Sequence, residues 1–193
     1  MTHSSNPKRK QILATGKELF WKFGFKRVSI EEICKASGVS KMTFYKFFPN
    51  KLEMAKTLLD EVFDESFQKV KRISAVPEST EKTLRKIMHL IADSSRDISE
   101  EFIKDLYASP DAEMRSYMEA KINSMFAEIT RIYEQGKEDG WIRKDLNIPF
   151  FMTFTRKLIP IYSDDEILHF FESSQEMIME ITNLFVYGVS PHK

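Results

Sequence analysis

Residues 29–51 read SIEEICKASGVSKMTFYKFFPNK, and this stretch predicts two short helices separated by a tight turn. Ser29 is a good N-cap, and Glu32, three residues later, completes a capping box for the first helix. Gly38 can take the positive φ that a turn between two helices needs, and Ser40 offers an N-cap for the second helix. Two short helices joined by a glycine-containing turn are typical of the helix-turn-helix motif, whose second helix lies in the major groove of DNA.

The second helix is predicted over residues 41–48, because Pro49 cannot continue it. At about 100° per residue, Phe44 and Phe48 fall on one side of this helix and are expected to be buried. The outward face then carries side chains that can reach base edges, thymine methyl groups or phosphates: Met42, Thr43, Tyr45 and Lys46. Met and Tyr at helical spacing are also ordinary core residues, but here the two phenylalanines already supply the buried face.

Charge is distributed unevenly along the chain. Residues 1–51 contain eleven Lys and Arg against three Glu, a balance of +8. Because the formal net charge of the whole chain is zero, residues 52–193 carry −8. This asymmetry indicates a phosphate-binding head, residues 1–51, on an acidic body, residues 52–193. The acidic body would repel DNA and so confine the contact to the head.

These residues resemble the DNA-binding domain of the tetracycline-repressor (TetR/AcrR-like) family of bacterial transcription regulators. The resemblance covers about the first quarter of the chain and rests on one set of residues: Phe20, Gly24, Phe25, Ser29, Gly38, Val39, Ser40, Tyr45, Phe48 and Lys51. The chain departs from the family pattern at Met42, where Gly is common, at Cys34, where Ala is common, and at Phe47, where a polar residue is usual. These departures bear on the operator sequence rather than on the fold.

The resemblance also implies roles for individual residues. It implies that Ser29, Tyr45 and Lys51 contact phosphates. It implies that Lys41, Met42, Thr43 and Lys46 face bases or groove walls. Ser40, at the beginning of the second helix, is a further candidate for DNA contact. Members of the family commonly hold a small-molecule effector in the helical body and dimerise through their last two helices.

The composition narrows the class of protein. With 42% hydrophobic and 30% charged residues, the chain is expected to be a soluble, helix-rich globular protein. The single cysteine, Cys34, cannot form an intramolecular disulfide, which favours a reducing compartment. The first ten residues, MTHSSNPKRK, offer no apolar segment for a signal peptide, and no run approaches the roughly 18 apolar residues of a membrane span. The expected location is therefore the bacterial cytoplasm, with no membrane partner.

Helical periodicity continues through the rest of the chain without strand-like alternation. In addition to the two short helices, the pattern predicts helices at residues 8–23, 52–72, 79–95, 100–107, 111–136, 149–158 and 165–187. The sequence therefore predicts an all-α fold of about nine helices, with a three-helix head and a larger helical body. The helix over residues 52–72 would span roughly 30 Å without a breaker, long enough to act as a lever between head and body.

The middle helices of the body are rich in Met and aromatic residues, which suit an adaptable pocket for an apolar or aromatic small molecule. The candidate pocket residues are Met88, Phe102, Tyr107, Met114, Tyr117, Met118, Met125 and Phe126. The same residues could equally form an ordinary core, and no cluster of charged residues identifies a ligand.

The last two predicted helices carry apolar faces wider than one side of a small domain needs. The candidate interface residues are Phe150, Phe154, Leu158, Ile167, Phe171, Ile178, Ile181 and Phe185. A four-helix interface built from this pair in each of two subunits would bury the excess. Two heads could then meet successive major grooves about 34 Å apart on a near-palindromic site.

Other classes of protein fit the sequence less well. Glu166 and His169 have the Glu-x-x-His spacing of di-iron carboxylate bundles, but such sites need a second pair and two further Glu residues. We therefore predict no catalytic residue, no metal and no cofactor. A helical interaction or signalling protein is an alternative, although it would leave the basic head without a role. The sequence favours a homodimeric, ligand-responsive regulator that binds operator DNA, most simply as a repressor.

Overall fold

The computed structural model describes residues 6–75, 80–94, 96 and 98–189. Over these residues the chain forms ten α-helices and a short 3-10 helix, with no strand, which confirms the predicted all-α class. The helices are α1 (Pro7–Phe23), α2 (Ile30–Ser37), α3 (Lys41–Phe47), α4 (Lys51–Ala75), α5 (Thr80–Ser94), α6 (Glu100–Tyr107), α7 (Ala112–Glu138), α8 (Ile148–Lys157), the 3-10 helix (Ile159–Ser163), α9 (Asp165–Leu168) and α10 (Ser174–Val189).

The last predicted helix, over residues 165–187, is wrong as a single element. The helix α9 ends at Leu168, and α10 begins at Ser174. The break is stabilised locally, because the Ser173 hydroxyl accepts a hydrogen bond from the Glu176 amide at 3.1 Å and so caps α10. Apolar periodicity continues on both sides of the break, which is why spacing alone did not reveal it.

One hydrophobic core joins the head to the body. Phe20, Phe44 and Phe48 from the head are at most 2% exposed. They belong to the same cluster as Met54 of α4 and Met114 of α7, which are fully buried. The apolar core therefore crosses residue 51, and the domain boundary that we placed there stays a prediction.

The head also meets the body through polar contacts at the end of α1. The Ser99 amide donates to the Trp21 carbonyl at 2.8 Å, and the Trp21 ring lies 4.3 Å from the Phe102 ring, centroid to centroid. Beyond α1, the buried carboxylate of Asp105 accepts a hydrogen bond from the Lys26 amide at 2.8 Å. The Lys26 ammonium lies 3.1 Å from the other oxygen of the same carboxylate. The helix α6 is thus attached to the turn between α1 and α2.

Gly24 makes this attachment possible. It ends α1 with a φ of 81°, a conformation that side chains with a Cβ rarely adopt. A Cβ at this position would come within 2.8 Å of the Asp105 carboxylate. The close approach of α6 to the turn therefore depends on a residue without a side chain.

We expect Asp105→Ala to destabilise the fold by about 2 kcal/mol, because it leaves the Lys26 amide without its acceptor. Urea unfolding followed by tryptophan fluorescence would measure the loss. Lys26→Met is the matched control, since it removes only a half-exposed ammonium and should cost less than about 1 kcal/mol. Equal losses for the two variants would show that the buried amide contact contributes nothing.

Candidate nucleic-acid interface and interior cavity

The helix-turn-helix forms as its capping residues predict. The Ser29 hydroxyl accepts from the Glu32 amide, and the Glu32 carboxylate accepts from the Ser29 amide at 2.8 Å, so the predicted capping box is confirmed. Gly38 ends α2 in the left-handed region with a φ of 65°. The Ser40 hydroxyl then accepts from the Thr43 amide at 3.1 Å and begins α3. Local sequence alone therefore fixes the angle between α2 and α3.

The helix α3 buries one face and exposes the other, as predicted. The Phe44 ring is fully buried beneath it, and Phe48 is 2% exposed. On the opposite face, Met42 is 81% exposed and Tyr45 is 53% exposed. Two large exposed side chains on one face of a short helix leave that face available for contact with a partner. The exposed face is therefore the part of the head that is free to enter a groove.

Three hydroxyls predicted to contact DNA, those of Ser29, Ser40 and Thr43, already form hydrogen bonds within the motif. The Ser29 hydroxyl lies 2.8 Å from a Glu32 carboxylate oxygen. The Ser40 and Thr43 hydroxyls lie 3.0 Å apart, so one donates to the other. Each hydroxyl can still accept a hydrogen bond, but it already donates its proton or accepts from a backbone amide within the motif. This favours a role in positioning the helices over a role in reading bases.

The two lysines of α3 differ in their partners. Lys41 forms an ion pair with Glu31 at the surface. The hydrogen bond between them lowers the pKa of Glu31 and raises that of Lys41. Lys46 is exposed, and no carboxylate lies within ion-pair distance of it in the described part of the chain. Lys46 can therefore meet a phosphate or a base edge directly, whereas Lys41 must first exchange Glu31 for DNA.

Lys51 makes contacts that the sequence did not indicate. Its ammonium donates to the carbonyls of Phe25 and Val28 at 2.7 Å each, and to that of Lys26 at 3.2 Å. It also lies 4.5 Å from the centre of the Phe25 ring. Burial lowers the pKa of Lys51, an effect that the Asp105 and Glu32 carboxylates oppose. All three ammonium protons are thus used to hold the turn between α1 and α2, and the predicted phosphate contact would require breaking these bonds.

The body encloses an apolar cavity of about 470 Å³. Four of the predicted pocket residues line it: Phe102, Tyr107, Met125 and Phe126. The other four do not line it: Met88, Met114, Tyr117 and Met118. Met114 and Met118 lie in the core shared with the head, and the Tyr117 hydroxyl donates outside the cavity to Asp60 at 2.9 Å. Because Met residues also fill that core, the Met content of the body predicted too many pocket residues.

The cavity wall includes aromatic residues that sequence reasoning missed, among them Trp21, Phe63, Phe67, Tyr133, Phe151 and Tyr162. Burial raises the pKa of Tyr107 and of Tyr133 to about 12, so both phenols stay protonated. The Tyr107 and Tyr162 rings stack with centroids 5.7 Å apart. Among the described residues, no hydrogen-bond partner is found for these three hydroxyls, which leaves them available as donors to a ligand.

The predicted interface residues fall into two groups. Phe150 and Phe154 stand out from α8 with stacked rings, 67% and 47% exposed, and Ile167, Phe171 and Ile181 are half-buried. The remaining three line the cavity from the C-cap of α8 and from α10: Leu158, Ile178 and Phe185. On α10, Leu184 and Tyr187 are also 69% and 74% exposed. Because an α-helix has 3.6 residues per turn, apolar residues close together in the sequence can point inward or outward. A list of apolar residues does not show which direction each one takes.

Neither a metal site nor a membrane-spanning helix is found among the described residues. No group of three or more His, Cys, Asp or Glu side chains is placed to hold a metal ion in that part of the chain. No helix there combines the length and apolar character that a bilayer span requires.

We expect Lys51→Met to lower the free energy of unfolding by about 2 to 3 kcal/mol, because three carbonyl oxygens lose a charged donor. Thermal and urea unfolding would measure the change. Lys46→Met, which removes an exposed lysine of the same head, should leave stability within about 0.5 kcal/mol. If Lys51→Met instead folds like the parent protein and only weakens DNA binding, Lys51 is a phosphate contact and not a brace.

Residues 12–58 match the family described as bacterial regulatory proteins, tetR family. The chain is 32% identical over 79 residues to the uncharacterised HTH-type transcriptional regulator YuxN of Bacillus subtilis, covering 41% of this chain and 27% of that one. It is 29% identical over 79 residues to the HTH-type transcriptional regulator EthR of Mycobacterium tuberculosis, covering 41% and 37%. The matched segment therefore spans only about a third of these two relatives.

A longer match runs through most of the body. The chain is 25% identical over 162 residues to the HTH-type transcriptional repressor KstR2 of Rhodococcus jostii, covering 80% of this chain and 78% of that one. Two solved structures share the fold. The fatty acid degradation regulator FadR of Bacillus halodurans has a TM-score of 0.66 at 17% identity, over 95% of this chain and 97% of that one. The ketosteroid transcriptional regulator KstR2 of Mycobacterium tuberculosis has a TM-score of 0.58 at 18% identity, over 97% of each. Residues 12–58 therefore form a segment that belongs to the tetR family of bacterial regulatory proteins.

Proposed function

We propose that this protein is a ligand-responsive transcriptional regulator, a repressor that binds a near-palindromic operator as a homodimer in the bacterial cytoplasm. The observation that carries the proposal is the exposed face of α3, where Met42 and Tyr45 stand clear of a head with a charge balance of +8. A basic head supplies the phosphate attraction common to all DNA sequences. The exposed α3 side chains supply the contacts that distinguish one sequence from another.

A second copy of the chain is the partner that the outer face of the body fits. Phe150 and Phe154 on α8, with Leu184 and Tyr187 on α10, expose apolar side chains on the last two long helices. Isolated exposed apolar residues need no explanation, but four large ones on adjacent segments favour an interface. A two-fold interface here places two heads at half-sites about 34 Å apart.

The cavity supplies the site for an effector. Its volume of about 470 Å³ lies in the range of small-molecule sites, and its lining is apolar with phenol donors. Two of the similar structures are described as a fatty acid degradation regulator and a ketosteroid transcriptional regulator, and both descriptions name molecules that are apolar over most of their length.

The walls of the cavity lead to the head along two helices. The helix α4 provides Phe63 and Phe67 to the wall and begins at Lys51, which holds the turn between α1 and α2. The helix α6 provides Tyr107 to the wall and holds the same turn through Asp105. A ligand that weakens operator binding 100-fold must favour the non-binding arrangement by about 2.7 kcal/mol, an ordinary size for allosteric coupling.

Selection of bound duplexes from a random pool tests the proposal. We expect the purified protein to enrich two inverted half-sites, whose symmetry reports the dimer. Met42→Ala and Lys46→Ala should change the preferred bases within each half-site by about 1 to 3 kcal/mol per position. Lys35→Ala, a change of an exposed lysine on α2, is the control that should keep the preference. No enrichment of any duplex at low salt would contradict DNA recognition and favour a helical interaction protein.

Neutralising Glu31 should strengthen DNA binding. Glu31→Gln frees Lys41 from its ion pair, so one more cation can replace a counterion on the duplex. We expect a gain of about three- to tenfold at low salt, and a salt slope steeper by about one. Glu138→Gln at the end of α7 makes the same change in net charge far from α3 in sequence, and should give no comparable gain. Equal behaviour of the two variants in fluorescence anisotropy would leave Lys41 without a role in binding.

A further inference from the structure

The apolar cavity does not end inside the body. Five residues line both the cavity and a larger open crevice of about 1500 Å³: Trp21, Val62, Ser66, Ser94 and Ile98. Trp21 belongs to α1 of the head, whereas Val62 and Ser66 belong to α4. The cavity and the crevice are therefore adjacent and share a wall at the junction of head and body.

The crevice has the opposite character to the cavity. Among the described residues, the lining of the cavity contains no Asp, Glu, Lys, Arg or His. The lining of the crevice contains six Lys and Arg against three Asp and Glu: Lys17, Lys22, Lys69, Arg72, Lys86 and Arg96 against Glu18, Glu65 and Asp93. Four of the six cations come from the body, which as a whole carries −8. The crevice thus reverses the sign of charge that surrounds it.

Part of this positive charge is not neutralised by neighbours. Lys69 pairs with Glu65 at 2.7 Å, and Arg96 pairs with Asp93 at 2.8 Å. No ion pair is found for Lys17, Lys22 or Arg72 in the part of the chain that the structure describes. The Lys17 ammonium lies 5.4 Å from the centre of the Trp21 ring, directly beside the shared wall. A concave site with more cations than carboxylates attracts anions.

We propose that the crevice binds the anionic head group of an amphiphile whose apolar tail fills the cavity. The inference rests on the proposed function, because it names the chemical class of the effector. A charge placed in the cavity would be buried without a partner, which is costly. The same charge in the crevice meets Lys17, Lys22 and Arg72. Tail and head group therefore fit two adjacent spaces of opposite character.

In this arrangement the ligand contacts both the head and the body. Lys17 and Lys22 lie on α1 of the head, and Arg72 lies near the end of α4 in the body. A head group that contacts both sides binds better when α1 and α4 are held at the matching distance. Differential affinity of this kind is what a ligand needs to shift the head between two arrangements.

The test compares three probes with the same tail. Dodecyl phosphate, dodecanol and dodecyltrimethylammonium are titrated into the full chain below their critical micelle concentrations, by calorimetry and without DNA. We expect the phosphate to bind about tenfold more tightly than the alcohol, with an advantage that shrinks as salt is added, and the cation to bind most weakly. Equal affinity for the three probes, or no binding of any, would overturn the inference.

Variants locate the head group. The double variant Lys17→Gln, Arg72→Gln should reduce phosphate affinity to that of the alcohol while leaving alcohol affinity unchanged. Lys144→Gln with Lys157→Gln removes two exposed cations outside the crevice and should change neither. Circular dichroism melting shows whether each variant is folded.

The same variants separate this inference from the proposed function. If the crevice variant binds dodecyl phosphate like the parent protein but loses affinity for operator DNA, the crevice is a DNA contact and the inference is wrong. If the parent protein binds dodecyl phosphate preferentially but enriches no duplex, the ligand assignment holds and the proposed regulation of DNA fails.

Discussion

Burial of the Phe44 ring is the constraint on which the exposed face of α3 depends. Because α3 has only seven residues, a single buried position sets its rotation. Because Phe44 is fully buried and Phe48 lies beside it in the core, the helix exposes Met42 and Tyr45. The capping hydroxyls of Ser29 and Ser40 set the ends of the two helices, so the orientation of the exposed face follows from a few local contacts.

The sequence predicted those features well because each depends on residues close together in the chain. Capping, the left-handed Gly38 and the buried side of α3 all arise within four residues of their partners, where hydrogen-bond geometry is fixed by the helix itself. The role of Lys51 was not predictable in this way. Its carbonyl partners lie 23 to 26 residues away, and the resemblance to a family implied a phosphate contact for this lysine rather than bonds to the turn.

The sequence predicted the helices of the body, but it did not predict which of their apolar residues line the cavity. Apolar periodicity identified helices α6, α7 and α8, but it could not tell Met114, which packs against the head, from Met125, which lines the cavity. The same limit explains why Leu158, Ile178 and Phe185 point inward although we expected them at an interface. The Asp105 carboxylate carried a signal that we did not use: an acidic residue next to Leu106 on the buried side of α6 must find a donor.

The turn over residues 25–28 connects the head to two helices of the body. Lys51 at the beginning of α4 holds its carbonyls, and Asp105 of α6 holds the Lys26 amide. Both helices also wall the cavity, so any change in their spacing acts on the same four residues from two sides. Because buried hydrogen bonds are costly to leave unmade, the turn follows the helices rather than stretching between them. Its far end leads directly into the Ser29 cap, so the coupling that we propose would reach the helix-turn-helix through this turn.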